Sequence, residues 1–230
     1  MKNKPIAILG GMGPEASAYL YSTLINNAIK YFGAKNNDDF PEILLYSIPV
    51  PDFISSDDKK AEALEMLINR VVNLNSLDLL CMCIACNTAH ILIDELKNSS
   101  KTPFVSIIDV VVEAIKKDGI KKVGLLGTPS TISSGIYQDA LDKKGIQTII
   151  PRQKDIGLLE HAIRNVIEGT YNVSDTEHLF RISDQLKNGG ARGIVLGCTE
   201  IPLIFPKSYS LPVYNSVEIL SIALLKRYYS

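Results

Sequence analysis

Short apolar runs alternate with segments of helical periodicity along the whole chain, and this alternation constrains the fold more than any other feature. Strand-like runs begin at Pro5, Ile43 and Leu79, and a helix-period segment separates each run from the next. Residues that favour helix starts agree with this pattern, since Pro14 suits the first turn of a helix and Ser56 suits a helix N-terminus. Strands that alternate with helices are typical of parallel sheets covered on both faces. The sequence therefore predicts an α/β fold.

The second half of the chain repeats the plan of the first half. Gly11 precedes Cys86 by 75 residues, and Gly127 precedes Cys198 by 71 residues, so comparable loops recur at comparable intervals. We therefore predict two pseudo-symmetric lobes, each a mainly parallel sheet flanked by helices, rather than one continuous sheet. Residues 1–103 together with a returning C-terminal segment, 211–230, are expected to form the N-terminal lobe. Residues 104–210 are expected to form the C-terminal lobe.

Charge and hydropathy exclude several classes of partner. The 230 residues carry 24 Lys and Arg against 25 Asp and Glu, which leaves no positive excess to follow a phosphate backbone or an anionic membrane. Apolar stretches such as residues 79–85 are far shorter than the roughly 20 residues of a membrane-spanning helix. We expect no nucleic-acid partner, no membrane partner, and a soluble cytoplasmic protein whose thiols stay reduced.

Four loops follow buried-type strands and compete for the position of a binding site. They cover residues 10–15, 86–90, 127–131 and 197–200. In parallel α/β sheets, ligands gather at the carboxyl ends of the strands, where loops expose backbone N–H groups at helix N-termini. If the two lobes face each other, these loops converge on a shared cleft.

Cys86 and Cys198 are the candidate chemical groups of this cleft. Each ends an apolar strand and precedes hydroxyl or amide side chains at a predicted helix start, a setting expected to lower the pKa of a thiol. Two thiols facing each other across one carbon can remove a proton from one side and return it on the other. The alternative is that each is a small buried hydrophobe, which is the interpretation favoured for Cys81 and Cys83.

Redox and metal chemistry are weaker interpretations of the same residues. Cys83 and Cys86 form a C-x-x-C, but Cys83 falls within the apolar strand, whereas a redox pair needs both sulfurs exposed. The cysteines could join His90 in a zinc site, yet no second ligand cluster exists, so we predict no metal. His90 is expected to support the loop, and Glu200 could orient or polarise the Cys198 thiol.

Residues 11–16 formally satisfy the G-x-G-x-x-A pattern of dinucleotide-binding proteins. The acidic residue that should follow about 20 positions later, at the end of the second strand, is missing. We therefore predict no dinucleotide cofactor. The turn is interpreted instead as a binding element for a small carboxylate, or as a simple tight connection between strand and helix.

Four motifs in order carry a family resemblance over nearly the whole chain. They are Ile-Leu-Gly-Gly-Met-Gly-Pro-Glu-Ala at residues 8–16, Cys-Asn-Thr-Ala-His at 86–90, Gly-Thr-Pro-Ser-Thr at 127–131 and Gly-Cys-Thr-Glu-Ile-Pro at 197–202. This set resembles the aspartate/glutamate racemase family, and its first motif is most similar to the aspartate racemase branch. The resemblance implies two lobes with the active site between them, an amino-acid substrate, no cofactor and a homodimer.

Site residues follow from the resemblance motif by motif. It implies that Cys86 and Cys198 are the two acid/base thiols. Met12 and Gly13 would line the cleft, and Glu200 would lie in the substrate site beside Cys198. The implied donors to the substrate carboxylate and amine are Asn87, Thr88, Thr128, Thr131 and Thr199.

The chain departs from the family pattern where the substrate side chain is selected. Phe53 follows Pro51-Asp52 where members acting on acidic substrates have arginine, and Ile167 stands where a lysine is expected. An arginine fork binds a carboxylate in a bidentate manner that a phenyl ring cannot replace. We therefore predict a neutral or broader amino-acid substrate. A replacement cation could reach the cleft from Arg152, Lys154 or Arg164.

Two alternatives to a racemase stay open at this point. The chain could be a cysteine-dependent isomerase or decarboxylase on the same scaffold, although the presence of both Cys86 and Cys198 argues against this. It could also be a small-molecule-binding protein that has kept the cleft and lost turnover, and the missing side-chain cations leave room for that function.

Overall fold

A computed structural model describes residues 4–54 and 58–230, and the helix start predicted at Ser56 lies outside them. The strands are β1 (Ile6–Gly10), β2 (Ile43–Ser47), β3 (Cys81–Ile84), β4 (Phe104–Val105), β5 (Lys122–Gly127), β6 (Gln147–Ile149), β7 (Ile194–Gly197) and β8 (Val213–Asn215). The α-helices are α1 (Pro14–Phe32), α2 (Lys60–Leu74), α3 (Ile93–Asn98), α4 (Ile107–Lys117), α5 (Pro129–Ser134), α6 (Ile136–Asp142), α7 (Gln153–Glu168), α8 (Val173–Asn188), α9 (Ile201–Ile204) and α10 (Ser216–Tyr228). Two 3₁₀ helices cover Asn37–Asp39 and Thr88–Leu92.

The strands form two separate parallel sheets with the same topology. The first sheet has the order β2-β1-β3-β4, and the second has the order β6-β5-β7-β8. All six strand pairings are parallel. The prediction of two similar α/β lobes, rather than one continuous sheet, is confirmed.

Strand pairing differs from the predicted domain boundaries at two short strands. Phe104 pairs with Met82 in the first sheet, although residue 104 was assigned to the C-terminal lobe. Val213 pairs with Ile194 in the second sheet, although residues 211–230 were assigned to the N-terminal lobe. Each fourth strand completes the sheet that precedes it, because the repeat unit contains four strands. From the C-terminal segment, α10 packs on the first lobe against α1, and it also contacts α4.

The two faces of the first sheet belong to different parts of the core. In β3, Cys81 and Cys83 face a large apolar cluster that continues into the second lobe, whereas Met82 and Ile84 face a smaller cluster beneath α2 and α3. This is the alternation expected of a strand. Cys81 and Cys83 are fully buried, as predicted for core residues.

The register brings the candidate loops to one edge of each sheet. Leu9 in β1 lies beside Ile84 in β3, so the turn after β1 and the loop carrying Cys86 leave the sheet side by side. Gly127 and Gly197 are register partners in the second sheet. Within the described part of the chain, no helix is both long and apolar enough to cross a membrane.

Candidate active site

A cavity of about 190 Å³ lies between the two lobes at the carboxyl ends of the central strands. Both lobes contribute to its wall, as the motif pattern predicted. The lining residues are Gly11, Met12, Gly13, Pro14, Val50, Pro51, Asp52, Phe53, Ile54, Cys86, Thr88, Arg164, Ile167 and Glu168.

His90 fixes the segment that carries Cys86. Nδ1 of His90 lies 2.8 Å from the carbonyl oxygen of Cys86, and its Nε2 accepts a hydrogen bond of 3.1 Å from the backbone N–H of Ile107. Because Nε2 accepts, Nδ1 carries the proton and donates to Cys86. The imidazole thus ties the loop after β3 to the start of α4. Burial lowers the pKa of His90 to about 4, so the ring is neutral at neutral pH.

Glu200 connects Cys198 to the turn after β1. The thiol of Cys198 donates to Oε2 of Glu200 over 2.9 Å, and the backbone N–H of Gly13 donates to Oε1 over 3.2 Å. Thr199 adds a hydrogen bond of 3.1 Å to Oε2. The carboxylate is 3% exposed. The turn predicted to bind a substrate carboxylate therefore uses its Gly13 donor on a carboxylate of the protein itself.

The glycine turn needs its glycines for close packing. Gly11 has a φ of 91°, and a Cβ there would lie 2.4 Å from the backbone nitrogen and oxygen of Ile48. A side chain at this position would push the turn away from the strand connection that forms the cavity wall. The sequence pattern at residues 11–16 thus reflects tight backbone approach.

Burial raises the pKa of both thiols, whereas the sequence predicted that it would fall. Burial first, and the charge of Glu200 second, raise the pKa of Cys86 from 9.0 to about 12. Backbone N–H groups of Ala89 and Thr88 and the Thr88 hydroxyl act in the lowering direction, as expected, but they are outweighed. Burial, Glu200 and the nearby Cys86 raise the pKa of Cys198 well above 9.0. Both thiols are protonated in the unliganded protein at neutral pH.

Three threonine hydroxyls join the lobes beside the cavity. Oγ1 of Thr88 lies 2.9 Å from Oγ1 of Thr128 and 3.0 Å from Oγ1 of Thr131, which in turn accepts from Thr128 over 2.9 Å. All three residues are buried. Thr88 also lines the cavity, so these hydrogen bonds connect the cavity wall of the first lobe to the second lobe.

Asn87 belongs to a second buried link between the lobes. Its Oδ1 accepts a hydrogen bond of 2.6 Å from the hydroxyl of Tyr137, and its Nδ2 donates to Oγ of Ser216 over 3.1 Å. Tyr137 is fully buried, and burial followed by the charge of Cys198 raises its pKa. The Tyr137 hydroxyl therefore lies near Cys198 while it orders the residue after Cys86.

The predicted site residues fall into two groups. Met12, Gly13, Phe53, Cys86 and Thr88 line the cavity, whereas Cys198, Asn87, Thr128, Thr131, Thr199 and Glu200 are buried behind that wall. Tyr137 and Ser216 were missed by the sequence analysis, because a tyrosine on a short helix and a serine at a helix start carry no spacing signal. Asp52 was noted only as the residue before Phe53.

Of the three candidate cations, only Arg164 lines the cavity. Its side chain donates to Oδ2 of Asp52 over 2.9 Å and to Oε1 of Glu160 over 2.9 Å. Arg152 instead pairs with the buried Asp155 over 2.7 Å. Lys154 is not among the described residues that line the cavity.

Two repeated α/β lobes place Cys86 in the wall of a shared cavity and Cys198 buried behind that wall. This pair of thiols defines a candidate site for acid/base chemistry on a small molecule. The sequence model of the Asp/Glu/Hydantoin racemase family matches residues 9–222. The chain belongs to this family, and it is accordingly a racemase, an enzyme of the isomerase class.

Relatives and solved structures agree with this assignment over nearly the full length. The chain is 27% identical over 227 residues to the broad specificity amino-acid racemase RacX of Bacillus subtilis, covering 97% of each chain. It superposes on Picrophilus torridus aspartate racemase with a TM-score of 0.85 and 32% identity, covering 98% of this chain and 94% of that one. An aspartate racemase homologue from Pyrococcus horikoshii gives a TM-score of 0.83 and 30% identity, covering 99% and 100%.

Proposed function

We propose that this protein is a cofactor-independent amino-acid racemase in which Cys86 and Cys198 exchange the Cα proton on opposite faces of the substrate. The observation that carries the proposal is the pair of buried thiols, one from each lobe: Cys86 lines the cavity, and Cys198 bonds to Glu200, whose other oxygen accepts from Gly13 in the same cavity wall. Two thiols on opposite sides of one carbon meet the demand of stereochemical inversion, because one removes a proton while the other supplies one.

The hydrogen bonds give the two thiols different starting roles. The thiol of Cys198 donates a hydrogen bond to Glu200, which holds the proton on the sulfur and favours Cys198 as the initial acid. Donors around Cys86 act toward its anionic form, although burial outweighs them in the free protein, and we propose Cys86 as the initial base. A bound substrate brings a positively charged α-amino group into the cavity, and a nearby positive charge lowers the pKa of a thiol. Thiolate would therefore form mainly in the complex, and the roles reverse for the other enantiomer.

Stabilisation of the carbanion is the main energetic demand, because an amino-acid α-proton is weakly acidic. Thr88 is the predicted donor that lines the cavity. The hydroxyl or amide groups of Asn87, Thr128, Thr131 and Thr199 bond within the protein, and we propose that they act by orienting the loops around the substrate. The largely apolar lining of the cavity strengthens each remaining electrostatic contact.

We propose a neutral or broad range of substrate side chains. Met12, Val50, Phe53 and Ile167 give the cavity a largely apolar wall, and Phe53 is 5% exposed. An apolar wall favours an apolar side chain, and the one guanidinium among the described lining residues, that of Arg164, is already paired with Asp52 and Glu160. The relative from Bacillus subtilis is described as a broad specificity amino-acid racemase, which supports the same range for this chain.

Proton exchange at Cα in deuterated water tests this function without assuming a substrate. Both enantiomers of acidic, neutral and basic amino acids would be followed by NMR and chiral chromatography, with the C86S and C198S variants beside the wild type. Inversion with deuterium incorporation, lost in either variant, is the expected result. Silence across the panel in a folded, reduced sample would contradict the proposal. Calorimetric binding without exchange would then favour a binding protein, and exchange without inversion an isomerase or decarboxylase.

We also propose that the enzyme is a cytoplasmic homodimer. A reducing compartment such as the cytoplasm suits a mechanism that depends on two free thiols, and the four cysteines are unpaired and buried. Size-exclusion chromatography with light scattering should give twice the chain mass of 25.3 kDa. A monomer mass at all working concentrations would contradict the dimer.

A further inference from the structure

An ion pair between the lobes lies in the wall of the cavity. Asp52 belongs to the loop after β2 and Arg164 to α7, and both line the cavity. Nη1 of Arg164 donates to Oδ2 of Asp52 over 2.9 Å, and Oδ1 of Asp52 accepts from the backbone N–H of Ile54 over 2.9 Å. The two oxygens of Asp52 thus have separate tasks, one toward the arginine and one within its own turn.

The same loop is held to the second lobe by backbone contacts. The hydroxyl of Ser130 donates to the carbonyl of Phe53 over 2.8 Å, and the N–H of Ser130 donates to the carbonyl of Ile54 over 3.0 Å. These contacts fix Asp52 opposite Arg164 independently of the ion pair. Removal of the charge on Asp52 should therefore leave the loop in place.

Carboxylates outnumber cations around this part of the cavity. Among the described lining residues, Asp52 and Glu168 are acidic and Arg164 is basic. Arg164 also bonds Glu160 on its own helix, and these two carboxylates, Glu160 first and Asp52 second, raise its pKa. The one guanidinium in the wall is thus matched by acidic groups of the protein.

We propose that the Asp52–Arg164 pair selects the charge of the substrate side chain. With Asp52 in place, Arg164 is neutralised and the wall repels an acidic side chain, so neutral and cationic side chains are admitted. Without the charge of Asp52, Arg164 keeps its bond to Glu160 and can donate from Nη1 to a side-chain carboxylate, beside the apolar Phe53 and Ile167. Discrimination here rests on repulsion of the wrong substrate. This inference rests on the proposed racemase function.

The test compares kcat/KM for racemisation of aspartate, glutamate and neutral amino acids in a set of matched variants. D52N keeps an oxygen for the N–H of Ile54 but removes the charge, whereas D52A removes the turn contact as well. The D52N/R164Q double variant asks whether any gain passes through Arg164. D78N is the control, since it also removes one exposed carboxylate from an ion pair, with Lys4, in a residue outside the cavity lining.

The expected result is a rise of up to about fivefold in the acidic-to-neutral ratio of kcat/KM for D52N, the size of one exposed ion pair. The double variant should return the ratio to the wild-type value, and D78N should not change it. Neutral turnover with an unchanged ratio in D52N would overturn the selector while leaving the racemase intact. A gain that survives in the double variant would also overturn it. Absence of exchange with every amino acid would refute the racemase function and the selector together.

Discussion

The thiol of Cys198 donates a hydrogen bond of 2.9 Å to the buried carboxylate of Glu200. The same carboxylate accepts from the backbone N–H of Gly13 in the other lobe, over 3.2 Å. An acidic group thus contacts one proposed catalytic thiol and, through its charge, raises the pKa of the other. Burial and the charge of Glu200 together favour the protonated form of both sulfurs, and the contribution of Glu200 can be measured.

Replacement of Glu200 by glutamine should lower the pH at which both thiols ionise. The charge of Glu200 is the second cause of the raised pKa of Cys86 and of Cys198, after burial, so its removal leaves burial for Cys86, and burial with the influence of Cys86 for Cys198. Peptide-resolved alkylation with iodoacetamide across pH 7 to 11 measures the shift. E168Q is the control, because Glu168 lines the cavity but is not a cause of either raised pKa. Equal alkylation profiles for E200Q and wild type would contradict the electrostatic role.

The four cysteines should separate into two chemical and two structural positions. C86S and C198S should each lose inversion by about 10² to 10⁴ in kcat, the usual contribution of one acid/base group. Each should retain Cα isotope exchange with one enantiomer at most, because one thiol remains. The measurement combines chiral chromatography with deuterium incorporation.

Cys81 supplies the matched control for the thiol variants. It is fully buried in the core that both lobes share, and C81A should lower the free energy of unfolding by about 1 kcal/mol while kcat stays within about twofold. An inactive, well-folded C81A beside an active C198A would refute the assignment of the two thiols.

The fold could be predicted from the chain because its repeat is written in local patterns. The pattern predicted two similar sheets. Strand-like runs precede Gly11 and Gly127, and Cys86 and Cys198 follow them after similar intervals. The strands β4 and β8 pair across the predicted lobe boundaries, since strands of two and three residues carry too little pattern to reveal their sheet.

The site was predictable only in part, because hydrogen-bond networks depend on contacts between distant residues. Cys86 and Thr88 could be found from one motif, but the Tyr137–Asn87 bond joins residues 50 positions apart and has no local signature. The pKa of each thiol was expected to fall, since donors at a strand end are visible in sequence. Burial outweighs those donors, and its extent follows from packing of both lobes.

Protonation of His90 should make the protein less stable in acid. Its pKa falls from 6.5 to about 4 on folding, so its contribution to stability is fully present above pH 6.5 and is lost as the pH falls toward 4. The linked free energy is roughly 3 kcal/mol. Urea denaturation of wild type between pH 4 and 7.5 should show this loss.

His90→Gln should flatten that pH dependence, because glutamine does not titrate. It should also destabilise the protein at pH 7.5 by about 1–3 kcal/mol, since one of the contacts to Cys86 and Ile107 is lost. H161Q replaces an exposed histidine and should retain the wild-type pH dependence. An equally steep loss of stability in acid for H90Q would show that other groups are responsible.

The hydroxyl of Thr88 should be required for contact between the lobes and for activity. Thr88→Val removes the hydroxyl at nearly constant volume and leaves Thr128 and Thr131 without their partner across the cleft. The loss of a buried hydrogen-bond partner should lower the free energy of unfolding by about 1–3 kcal/mol.

The Thr88 hydroxyl also acts to lower the pKa of Cys86. In T88V the Cys86 thiol should therefore ionise at higher pH, and kcat near neutrality should be reduced. Thr88→Ser keeps the hydroxyl and should retain most of the activity and the thiol ionisation, with only a packing loss in stability. Denaturation, alkylation and racemisation assays on the two variants separate these effects, and equal kcat for T88V and wild type would show that the hydroxyl acts only in folding.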